Sequence, residues 1–193
     1  TYLLGAWGIE SDYAMGTIIE GNTVQFLRKA MYPDYTSGIT VFANINTVIR
    51  NNIIHSFFGS SGARVEGIVI TGTSSYMGSG LQIYNNMIYD LNNSSSSGNA
   101  YICGIDSWYN NNTLITYNTV QISGTGANPL GTYALGVDVG STNFTIRNNI
   151  LVNAYNQTAG GSSFALWVAA GNTFTSDFND LYINSTLPNS YIG

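Results

Sequence analysis

Acidic residues are scarce in this chain, yet two of them stand where a pair of carboxylates could work together. Asp106 in GIDS (104–107) and Asp138 in GVDV (136–139) each follow a Gly-aliphatic step. ALWV (165–168) repeats the form with Trp167 in the aspartate's place. If successive turns of a repeat stack these positions, the two carboxylates lie roughly 5 Å apart, the spacing a retaining glycosidase uses. Trp167, one turn further on, then offers an apolar face for a sugar ring. Such a close pair of like charges also raises one carboxyl pKa or attracts a cation such as calcium. The plainer alternative is a solvated Asp pair, with Trp167 covering an apolar patch. The rest of the column reads Glu10, Thr40 and Val69, with no basic residue.

Other chemistries find less support. His55 is the only histidine, so a Ser-His-Asp triad would have to be built around it, and no Gly-x-Ser-x-Gly turn occurs. Cys103 is the only cysteine, which excludes an internal disulfide and a zinc cluster. It stands two residues before Ile105 and is expected to face the core as a small hydrophobe. Arg50 and Arg147 pair in register with Glu20 and Asp177 and read as surface ion pairs. Three turns apart, ~14 Å by strand spacing, they cannot share one scissile bond. The Gly-Ser-Gly and Gly-Thr-Gly runs lack phosphate-cradling spacing.

Positioning these residues requires a repeat, and the chain has one. The segments IIEGNTV, VIRNNII, QIYNNMI, LITYNTV, TIRNNIL and TSDFNDL place Asn22, Asn52, Asn86, Asn118, Asn149 and Asn179 at intervals of 30, 34, 32, 31 and 30 residues. Three positions before these anchors stand Ile19, Ile49, Ile83, Ile115, Ile146 and Ser176; two positions after stand Val24, Ile54, Ile88, Val120, Leu151 and Leu181. A second ladder runs GIES, GITV, GIVI, GIDS, GVDV and ALWV, with its aliphatic residue 13, 13, 18, 13, 12 and 13 positions before the anchor. The surplus in the third repeat falls on GTSSYMGSG (72–80), which predicts a loop insertion there.

The aliphatics alternate at period two, and no stripe of helical period runs for the length of a helix. The repeat therefore predicts short strands joined by Gly/Asn/Ser turns, coiled so that equivalent residues stack ~4.8 Å apart. An Asn turned inward at each corner can hydrogen-bond to its counterparts above and below, which satisfies amides otherwise buried unpaired. Asn also tolerates the left-handed backbone a tight corner needs.

On these six Ile-x-x-Asn-x-aliphatic cores the chain resembles the right-handed parallel β-helix repeats of the pectate-lyase-like superfamily. It looks most like the β-helical regions of secreted or surface-anchored bacterial proteins. The resemblance implies an all-β, right-handed parallel β-helix solenoid of about six coils of about 30 residues, with residues 1–193 one domain. It implies no particular activity, because the superfamily holds lyases, hydrolases, esterases, adhesins and inert spacers. The Asn-Thr-Asp, Asp-Asp, Gly-His-Gly and Arg-Ile-Lys motifs of polygalacturonases are missing, and the Asp pair lacks the nearby base of a pectate lyase.

Composition narrows the function classes. Only 8% of the residues are charged, against ~25% in an ordinary soluble domain, while 44% are hydrophobic and 13% aromatic. A net charge of −5 with five Lys+Arg argues against nucleic acid and anionic membranes. No apolar run is long enough to insert in a bilayer, and no signal peptide is visible. The small-polar, aromatic, Lys-poor composition fits an extracellular or cell-surface setting. No amphipathic capping helix is visible at either end, which predicts a segment of a longer chain with flanking domains, or end-to-end self-stacking. The leading expectation is a non-catalytic β-helix segment acting as scaffold, adhesin or glycan-binding face, with Asp106, Asp138 and Trp167 contacting a polysaccharide or surface glycan. The alternatives are a polysaccharide lyase or glycoside hydrolase using Asp106 and Asp138, and a filament subunit. No cofactor is expected beyond calcium at the Asp pair.

Overall fold

The computed structural model describes residues 6–29, 35–60, 64–94, 100–127, 130–158, 161–184 and 190–191. They wind into an all-β parallel solenoid of about five turns of ~31 residues, where the sequence predicts about six coils. Three parallel sheets, each of seven strands, run the length of the rod. The first contains Ala6–Asp12, Tyr35–Phe42, Arg64–Thr71, Tyr101–Trp108, Thr132–Val137, Ser163–Val168 and Ser190–Tyr191. Among the described residues no helix is long and apolar enough to cross a membrane.

Each sheet contributes one inward aliphatic column. Ile9, Ile39, Ile68, Ile105, Leu135 and Leu166 stack in the first sheet. Ile19, Ile49, Ile83, Ile115, Ile146 and Ser176 stack in the second. Val24, Ile54, Ile88, Val120, Leu151 and Leu181 stack in the third. Where the columns meet they form one continuous core. The surplus of the third repeat is a loop as predicted: Thr73 and Tyr76 exchange backbone hydrogen bonds, and Gly78–Ser79 then rejoins the second sheet.

The Asn anchors form an unbroken ladder. From Asn22 to Asn179 each Nδ2 donates to the next Oδ1, at 3.0, 3.0, 3.0, 3.1 and 2.9 Å. Every backbone N–H in the series up to Asn149 donates to that same oxygen. The residue just before each anchor has a different task. Gly21, Asn51, Asn85, Tyr117, Asn148 and Phe178 all sit in the left-handed region, with φ between 53° and 68°. The first Asn of each Asn-Asn pair turns the corner and the second holds it together.

One register differs from expectation. Leu135, not Val137, stacks between Ile105 and Leu166, so Gly136 and not Asp138 lies opposite Asp106. The fifth repeat offers two Gly/Ala-aliphatic steps, Ala134-Leu135 and Gly136-Val137, two residues apart and therefore of the same parity. Pattern alone cannot choose between them; the chain buries the larger aliphatic in the column and lengthens the following corner.

Candidate functional site

The outer face of the first sheet carries the groups that could do chemistry, and a glycine column explains how. A methyl group on Gly38 would lie 2.6 Å from Ile54 Cγ2, and one on Gly104 2.1 Å from Val120 Cγ1. At these glycines the backbone approaches the third sheet too closely for a side chain, while near the far end Ala134 and Ala165 hold the same column with a single methyl group each. The extra inward residue breaks the alternation, so Ile102 and Ile105 both reach the core. Residues on either side of the glycine therefore face outward together: Glu66 and Val69, Cys103 and Asp106, Tyr133 and Gly136.

Cys103 is fully buried, as expected of a small hydrophobe, though its thiol turns to this outer face. It lies in register between Glu66 and Tyr133, outside the central cluster, with its Sγ donating to Ile105 O at 3.1 Å. Burial pushes its thiol well above the ordinary range, the reverse of an activated nucleophile.

Two hollows lie on this face. The first, ≈ 290 Å³, opens over Gly136. A methyl group there would lie 3.4 Å from Cys103 Sγ, 3.6 Å from Asp106 Oδ1 and 3.8 Å from Trp167 Cε3. Glycine thus leaves a slot in the column between Asp106 and Trp167, with Tyr133 and Asp138 beside it. Asp106, Asp138 and Trp167 do meet around one hollow, though the aspartates do not stack. The second, ≈ 330 Å³, is lined by Trp7, Tyr35, Thr40, Glu66 and their neighbours. Both share Arg64, Asp106 and Trp108, so together they make a groove crossing six strands, ~24 Å at 4.8 Å per strand.

The junction is the most constrained part. Asp106 and Glu66 are each only 3% exposed. Asp106 Oδ2 accepts from the Tyr101 hydroxyl and from Trp108 Nε1, the latter at 2.9 Å; Glu66 Oε2 accepts from Ser37 Oγ at 2.8 Å. Arg64 lies over them with its guanidinium carbon 5.3, 5.2 and 5.4 Å from the ring centroids of Tyr35, Tyr101 and Trp108. Burial, and then the charge of Glu66, push the Asp106 carboxyl from 3.8 up to about 7, although the Tyr101 and Trp108 hydrogen bonds pull it down. Burial raises Glu66 as well, and Arg64 opposes it. Half-buried Tyr133 is pushed up to about 12 by the same desolvation.

Glu66, Arg64, Tyr101, Trp108 and Tyr133 were not legible as site residues from the repeat. The available signal was the position before the column glycine, which reads Trp7, Ser37, Glu66, Cys103, Tyr133 and Phe164. Simple alternation sends that position inward, and only the glycine's close approach turns it out. Among the described residues no group of three or more His, Cys, Asp or Glu is placed to hold a metal ion.

Elsewhere the structure brings His55, Ser56 and Asp90 together in the wrong proton order for a triad. Ser56 Oγ donates to Asp90 Oδ2 at 2.9 Å, leaving His55 Nδ1, 3.0 Å away, to donate to the serine and not to accept from it. His55 also stacks on Tyr89 at 4.8 Å. Arg50 bridges Glu20 and Tyr84, each at 2.8 Å. Arg147 lies in register with Asp177.

Fold and site together define a parallel β-helix with an aromatic, carboxyl-floored groove over one sheet. The chain matches no family model, no curated protein and no solved structure.

Proposed function

We propose that this β-helix is a glycan-binding rod whose first-sheet groove cradles a saccharide chain. The observation that carries the reading is the slot at Gly136, walled by a tryptophan face on one side and a carboxyl on the other. Sugar rings have one apolar face and a rim of hydroxyls, and this slot offers a partner for each. The likeness of the repeat to the pectate-lyase-like superfamily and the low charge of the chain support a secreted or surface-displayed setting.

The test is affinity electrophoresis through gels cast with plant, algal and bacterial polysaccharides. The parent chain is expected to be retarded in at least one gel, and Gly136→Leu, which fills the slot, to run free. Equal migration of parent and variant in every gel overturns the reading. A second reading, hydrolysis in the same groove, draws support from an Asp106 carboxyl that is still half-protonated near neutral pH beside Glu66. It requires a cleared track that disappears in Asp106→Asn.

A further inference from the structure

We infer that the groove takes an uncharged polysaccharide and turns polyanionic ones away, an inference that rests on the glycan-binding reading above. The first sheet and the residue just after its Thr132–Val137 strand carry Glu10, Asp12, Glu66, Asp106 and Asp138, against one base, Arg64. That is half of the ten acidic residues and one of the five basic residues of the chain. Arg64 stands among three rings where the two hollows meet, and its charge acts on Glu66. A uronate, sulfate or phosphate entering the slot would meet Asp106 on one wall and Asp138 on the rim, with Arg64 the one basic residue among those lining it. Like charges brought together in a partly dry hollow oppose binding strongly.

An uncharged sugar meets none of this. The buried carboxyls on the groove's floor accept hydrogen bonds from sugar hydroxyls, and the Arg64 guanidinium can donate to them. Trp7, Tyr35, Tyr133 and Trp167 supply apolar faces along the groove. Arg64, where the two hollows meet, contributes a cation that a neutral chain tolerates.

The experiment runs the parent chain, Gly136→Leu and Trp167→Ala through gels cast with hydroxyethylcellulose or galactomannan, and through gels cast with polygalacturonate or alginate. Thermal melts of all three proteins verify folding; half-exposed Trp167 gives a second variant should Gly136→Leu not fold. The expected result is retardation in a neutral gel that both variants weaken by about ten-fold or more, corresponding to 1.4 kcal/mol or more, with no variant-sensitive retardation in the anionic gels. Variant-sensitive retardation in polygalacturonate or alginate that equals or exceeds the neutral gels overturns the charge inference and leaves the groove standing. Retardation nowhere, or retardation that neither variant alters, overturns the glycan-binding reading itself and the inference with it.

Discussion

At the scale of single residues, the Asn ladder does what a hydrophobic side chain at the same corner could not. A buried amide has two donors and an acceptor to satisfy, and the solenoid repeats the partners at every turn. Asn86 donates to Asn118 Oδ1 at 3.0 Å and to Ile49 O at 2.9 Å, while its own oxygen accepts from the amide and backbone of Asn52. Truncation therefore strands several buried groups at once, each costing ~1–3 kcal/mol. Asn86→Ala is expected to lower unfolding stability by ~3–5 kcal/mol in urea titration. Asn179→Ala, on the half-buried last rung, is expected to cost only ~1 kcal/mol. Equal losses at the two positions would mean that the ladder is held by general packing and not by its hydrogen bonds.

At the scale of the strand, the groove depends on a glycine column that also limited what the sequence could reveal. The columns of Ile19 and Val24 follow strict alternation from their Asn anchors, and their inward direction was readable without coordinates. The Cys103 strand does not alternate, because Gly104 inserts one residue against the third sheet, and a pattern of period two then assigns Cys103 and Glu66 to the wrong face. Gly136 reads as the column glycine for a related reason: it mimics that glycine two residues from the true column position, Ala134. Asp106 and Trp167 were legible because both flank that frame shift. The two glycines make opposite predictions. Gly104→Ala forces a methyl group 2.5 Å from Ala134 O as well as onto Val120, and is expected to destabilise by ~1–3 kcal/mol. Gly136→Ala meets only ordinary contacts, without a left-handed backbone to strain, and is expected to change stability by less than ~0.5 kcal/mol. Calorimetric melts of the two variants separate the column that packs the rod from the slot that serves the groove.

At the scale of the whole molecule, the buried carboxyls tie the stability of the rod to pH in an unusual direction. A carboxylate held in an ion pair releases its proton more readily when folded, and such proteins weaken in acid. Asp106 behaves oppositely, since its folded carboxyl titrates at about 7 against an ordinary 3.8. Between those values the folded chain holds a proton that the unfolded chain has lost. The associated stability is present in full below about pH 4, declines as pH rises, and is gone above about 7. Glu66, raised by its own burial, acts in the same sense. The groups around Asp106 are Glu66 and Arg64 from the preceding turn, Tyr101 and Trp108 from its own strand, and Tyr133 and Asp138 from the next. Only Arg64 among them favours the ionised form by charge. Melting temperatures measured from pH 4.5 to 8 are expected to fall, and Asp106→Asn to flatten most of the slope. The asparagine can still accept from Tyr101 and Trp108 through its one oxygen, so the variant removes the proton without removing the hydrogen bonds. A parent melting temperature that rises over this interval would mean that Arg64 keeps the pair ionised in the folded chain.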